Sequence, residues 1–103
     1  MLSKRAQSLI PLIKEFMSKQ PVKKAWLFGS YSRGEETDSS DIDILVDYDN
    51  SNGLVSLFKM GGILMDLTDL LGCKVDLVEV RGLKSFARDS VNRDKILIYE
   101  RIT

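Results

Sequence analysis

Residues 41–48 read Asp-Ile-Asp-Ile-Leu-Val-Asp-Tyr, and no other stretch restricts the fold of this chain so much. Side chains along a β-strand alternate between its two faces. Ile42, Ile44 and Val46 therefore share one side, and Asp41 and Asp43 the other. Such a strand belongs in a sheet with a core beneath one face and a polar surface on the other.

The rest of the chain supplies what that sheet needs. Residues 3–19 place Leu9, Ile10, Leu12, Ile13, Phe16 and Met17 at helical spacing. Pro11 should kink this helix or mark a late start, and Pro21 prevents its continuing. Lys23–Phe28 reads as a strand running into Gly29. After a turn-rich stretch from Asp49 to Gly53, a long helix is expected over Leu54–Leu71, where eleven of eighteen residues are apolar. So broad an apolar surface implies deep burial or a partner interface. Gly61-Gly62 in its middle implies close packing or a kink, and Gly72 is a natural stop. Lys74–Val80 is a third strand, Leu83–Arg93 a short helix, and Ile96–Tyr99 a final strand or helical turn. This order predicts an α/β fold over residues 1–103: one small domain, a mixed sheet flanked by helices.

Composition decides which chemistry is open to it. The 103 residues include no histidine, which excludes His-based general base catalysis and a conventional zinc site. The single Cys73 cannot form an internal disulfide and suits a cytoplasmic setting. The longest apolar-rich segment carries Lys59, Asp66 and Asp69, so no membrane span is expected. Fifteen basic residues cancel fifteen acidic ones, which argues against direct, nonspecific nucleic-acid binding. That balance hides an asymmetry. Residues 1–33 hold seven Lys or Arg and one acid, whereas 35–49 hold seven acids and no base.

Two motifs lie at this junction. Gly29-Ser30-Tyr31-Ser32-Arg33-Gly34 follows a strand, and a strand turning into a short helix there would present backbone N–H groups and the Ser30 hydroxyl to a phosphate. It is not a P-loop, because Glu35 and Glu36 stand where the phosphate-clamping lysine and its neighbour belong. The second motif is Asp41-Ile42-Asp43. Two carboxylates on one strand face repel each other unless a cation lies between them, and Mg²⁺ takes oxygen ligands of this kind beside substrate phosphates. Asp76 lies on another expected strand, and if the strands are neighbours it completes a three-carboxylate cluster able to hold two ions. Taken alone, a D-x-D can equally be a solvated strand edge. A calcium loop starting at Asp47 fails, since Asn52 and Phe58 occupy the positions that need Gly and Glu.

Together, GSYSRGEETDSSDIDILV and KVDLVE resemble the minimal nucleotidyltransferase family of the DNA polymerase β-like superfamily. In that pattern Gly-Ser is followed after ten residues by D-x-D, here Tyr31 to Ser40 between Ser30 and Asp41, and later by a single Asp on a strand. Ser32 stands where Ala is usual. The resemblance implies that Gly29 and Ser30 bind the nucleotide phosphates and that Asp41, Asp43 and Asp76 hold Mg²⁺, two ions in all. Asp76 would help activate the acceptor hydroxyl, and Arg33 would steady the acidic loop or a phosphate. It further implies ATP as substrate and a helical HEPN-type toxin as partner, silenced when AMP is transferred to one of its tyrosine hydroxyls. The other reading is an antitoxin that neutralises its partner by occlusion, with a vestigial site. The apolar face of residues 54–71, or Phe86 and Tyr99, would form the docking surface.

Overall fold

In the computed structural model, which describes residues 1–102, four strands form one mixed sheet. They are β1 (Val22–Phe28), β2 (Ile42–Tyr48), β3 (Val75–Glu79) and β4 (Ile96–Glu100), in the order β3-β2-β1-β4. Strand β1 is antiparallel to β2 and to β4, whereas β2 and β3 are parallel. A parallel pair needs a crossover, and helix α3 (Leu57–Leu71) provides it. Helix α1 (Lys4–Met17) precedes β1, the single-turn α2 (Ser30–Arg33) follows it, and α4 (Ser85–Asp94) links β3 to β4 after a 3₁₀ turn at Val80–Gly82.

One sheet face carries the core. Ile42, Ile44 and Val46 lie there, as their alternation requires, with Ala25 and Leu27 of β1. Ile13 and Met17 of α1 and Ile63 and Leu67 of α3 close over them. Each of these is at most 2% exposed, so truncating Leu67 to Ala should cost about 2–5 kcal/mol, read as a lowered urea midpoint. The residues between them, Trp26, Asp43, Leu45 and Asp76, belong to the opposite face.

Five expectations need correction or sharpening. Helix α1 starts at Lys4, capped by Ser3, and runs without a break through Pro11, so the proline marks no late start. Helix α3 starts at Leu57 instead of Leu54. Ser56 accepts a bond from the Lys59 N–H at 3.0 Å, and Asn50 accepts one from the Val55 N–H at 2.9 Å, which keeps 54–56 out of the helix. Its broad apolar surface is not deeply buried: Leu57 is 85% exposed, Phe58 93% and Met65 68%. Nor are Gly61 and Gly62 closely packed, for a β-carbon at either would meet nothing within 4 Å. Gly61→Ala and Gly62→Ala should therefore each stabilise the isolated protein by about 0.5–1 kcal/mol, seen as a higher melting temperature. Residues 96–99 resolve as strand, within β4.

Candidate active site

Sheet register assembles the acidic site. Asp43 is paired with Asp76 across the parallel β2–β3 ladder, so their side chains stand abreast on the open face, on strands about 4.8 Å apart. Asp41 lies just before β2, with its carboxylate 3.8 Å from the Lys74 ammonium. Asp43 is half-buried and has carboxylates on both sides. Burial first, then the charges of Asp76 and Asp41, push its pKa up from 3.8 to about 6, with Arg33 opposing them.

The phosphate-type loop meets this carboxylate directly. Phe28 pairs with Asp43 in the β1–β2 ladder, so the chain turns at Gly29 beside it. Gly29 has φ 73° and ψ −155°, a conformation open almost only to glycine, and the Asp43 carboxylate fills the space a β-carbon would take. Ser30 then opens α2. Ser32 is buried and donates its hydroxyl to the Gly29 carbonyl at 2.7 Å, while the Ser32 N–H binds the same oxygen at 3.0 Å. Ser32, which stands where Ala is usual, thus locks the turn through its hydroxyl.

Arg33 does what a structural cation does. It donates to Glu35 of the acidic loop at 2.8 Å and to Asp94, the last residue of α4, at 2.5 Å. These hydrogen bonds raise its pKa. The acidic loop is tied to α1 as well, through Arg5–Asp38 at 3.2 Å and a hydrogen bond from Ser3 to Glu36. Tyr31 is buried, with its hydroxyl unpartnered, and burial raises its pKa. The Arg33–Glu35 tie agrees with the expectation that Arg33 steadies the acidic loop, whereas Arg33–Asp94, Arg5–Asp38 and Ser3–Glu36 join segments far apart in the chain and were not visible in sequence.

Among the described residues, no three acidic or thiol side chains converge on one point as they stand. The set nevertheless fits a hard divalent cation. Its donors are all carboxylate oxygens, and burial together with the neighbouring Asp76 and Asp41 charges disfavours the ionised form of Asp43, which a bound cation would favour. A cation there would relieve the repulsion, and the glycine turn lies directly against the carboxylate that would help to hold it.

Known proteins agree with this arrangement. The chain is 38% identical over 86 residues to MJ0126 of Methanocaldococcus jannaschii, covering 82% of this chain and 85% of that one. It is 39% identical over 85 residues to the protein adenylyltransferase MntA of Thermococcus cleftensis, covering 82% and 83%. Its fold is similar to a chain of a toxin–antitoxin crystal structure with AMP-PNP, with TM-score 0.75, 23% identity, and 90% and 74% coverage. It is also similar to a chain in a complex of tri-AMPylated Shewanella oneidensis HEPN toxin with MNT antitoxin, with TM-score 0.61, 22% identity, and 94% and 71% coverage. The polymerase beta nucleotidyltransferase family matches residues 11–103. With its glycine turn set against paired strand carboxylates, the chain belongs to the polymerase beta nucleotidyltransferase family.

Proposed function

We propose that this protein transfers AMP from ATP to a hydroxyl, a tyrosine's, on a HEPN-type toxin and so acts as its antitoxin. The observation that carries the reading is the contact between Gly29 and Asp43, with Asp76 in register beside it. It sets a glycine turn of the phosphate-binding type directly against a half-buried carboxylate that has a second carboxylate in register beside it. The relative from Thermococcus cleftensis, an adenylyltransferase, and the fold shared with a chain of the AMPylated toxin complex support the choice of nucleotide and partner.

Gly29 and Ser30 would hold the β- and γ-phosphates through backbone N–H groups and the Ser30 hydroxyl. Asp41, Asp43 and Asp76 would hold Mg²⁺. When bound, Mg²⁺ neutralises phosphate charge and stabilises the leaving pyrophosphate. The acceptor oxygen attacks the α-phosphorus, the bond from that phosphorus to the bridging oxygen breaks, and pyrophosphate departs along the glycine turn. Asp76, exposed at the edge of the cluster, takes the hydroxyl proton. Arg33 holds the acidic loop and α4 in place around the reacting groups.

Exposed Leu57, Phe58 and Met65 on α3 offer the partner an apolar surface, and Phe86 on α4, 83% exposed, offers another. Tyr99 does not, because it is buried in the core. No helix among the described residues is long and apolar enough to cross a membrane. We place the reaction in the cytoplasm, where a lone thiol stays reduced. Neutralisation by occlusion is the competing reading, and the exposed apolar face of α3 is what favours it.

Label transfer separates the two. With Mg²⁺ and the purified partner, label from the α-phosphate of ATP should appear on the partner and label from the γ-phosphate should not. Transfer of γ-label would mean phosphoryl transfer instead. A partner silenced without any label would mean occlusion.

A further inference from the structure

Helix α4 lies over the same sheet face as Asp43 and Asp76, and it does not seal against that face. Its one buried residue is Val91. Between α4 and the sheet a cavity of about 210 Å³ remains, floored by Trp26 and Leu45 and walled by Val80 and Leu83. Over this apolar floor α4 presents polar side chains, Arg88 and Asn92, followed by Lys95 just beyond its end. The spacing 88, 92, 95 is one helical stripe. A helix packed for stability alone would turn its apolar stripe inward. Here three side chains rich in hydrogen-bond donors overhang an indole and a leucine, and no carboxylate lines the cavity.

The position relative to the acidic pair is fixed by β2. Leu45 is two residues beyond Asp43, on the same strand face and about 7 Å along it. The Arg33–Asp94 pair fastens the end of α4 to the helix that follows Gly29. The glycine turn, the carboxylates and the cavity thus lie side by side on one surface.

We infer that this cavity is the nucleobase subsite, and that it takes the purine ring of the nucleotide whose phosphates lie at Gly29 and Asp43. This rests on the reading of the site given above. A flat, acceptor-rich ring suits an apolar floor under a cationic and amide rim. Trp26 lines the cavity, and the Lys95 ammonium stands 5.0 Å from its ring centroid, a weak contact that a stacked base can replace. Asn92 is exposed and carries both a donor and an acceptor, the pair that matches the adjacent N6 and N7 edge of adenine. Guanine presents two acceptors at the same edge, so Asn92 favours adenine.

Trp26 is the chain's single tryptophan, which makes the test direct. Trp26 emission and calorimetric affinity are measured with Mg²⁺ and either ATP or inorganic tripolyphosphate, for the wild type and Asn92→Ala. ATP should change the emission and tripolyphosphate should not. Asn92→Ala should weaken ATP about tenfold and leave tripolyphosphate unchanged. If both ligands bind, Trp26 stays silent to ATP and Asn92→Ala binds ATP as well as the wild type, the subsite is wrong and the transferase reading stands. The subsite is equally wrong if Asn92→Ala weakens both ligands alike. If neither ligand binds, the phosphate site fails and the subsite falls with it. ATP binding with altered emission, but no binding of tripolyphosphate, would keep the subsite and remove the glycine turn as phosphate holder.

Discussion

Asp43→Asn is expected to reduce AMP transfer by about a thousandfold while making the protein more stable at neutral pH. The first effect follows from removing the charge nearest both the glycine turn and Asp76, where transition-state charge must be balanced. The second follows from the pKa of Asp43, raised from 3.8 to about 6. A carboxyl with a folded-state pKa above its unfolded value favours folding in its protonated form. That contribution is complete below about pH 4 and is lost as pH rises through about 6. At pH 7 the ionised carboxylate is therefore a burden on the fold. Wholly unscreened, the burden would be about 3 kcal/mol, and solvent in the open cleft reduces it to about 1 kcal/mol. The melting temperature of Asp43→Asn should exceed that of the wild type by about 4–8 °C at pH 7, and the gap should close towards pH 4. Mg²⁺ should narrow the gap at pH 7 by stabilising the wild type alone. A variant that melts lower than the wild type at pH 7 would contradict the repulsion described here.

Gly29→Ala should have the larger effect on stability. Alanine at φ 73° and ψ −155° is strained, and its β-carbon needs the space that the Asp43 carboxylate occupies. Backbone strain of about 1–3 kcal/mol plus displacement of the carboxylate gives a loss of about 2–4 kcal/mol. That is a fall of about 10 °C or more in melting temperature, with transfer abolished. Gly72 is the control. It too has positive φ, 68°, but a β-carbon there meets nothing within 4 Å, so Gly72→Ala should cost only the strain, about 1 kcal/mol. A double-mutant cycle isolates the contact. Adding Asp43→Ala to Gly29→Ala should restore about 1 kcal/mol beyond additivity, because the clash loses its partner. Strict additivity would mean that strain alone explains the loss.

The strands were legible because their signal is local. Alternation in 41–48 follows from backbone geometry at period two, and burial of Ile42, Ile44 and Val46 with Asp43 on the other face agrees with it. The start of α3 was not legible. Leu54 and Val55 continue the apolar pattern, and the bonds that exclude them from the helix come from Asn50 and Ser56. The burial of α3 was misjudged for a related reason: apolar content limits what a helix can bury, but neighbours decide what it does bury. Here they cover Ile63 and Leu67 and leave Phe58 bare.

Residue types and their spacing determined, without any structure, that the chemistry would run on carboxylates, since no histidine is present and Asp41, Asp43 and Asp76 fall on strands or their edges. They also determined that a glycine turn would precede those carboxylates. Only the tertiary structure decided that Asp43 and Asp76 stand abreast, because register between β2 and β3 is set by how α3 crosses over the core. It alone tied Arg33 to Asp94, pressed Gly29 against Asp43, and held a polar helix above Trp26. Those relations join residues distant in sequence. Their energies depend on distance and burial, and a chain acquires both only when it folds.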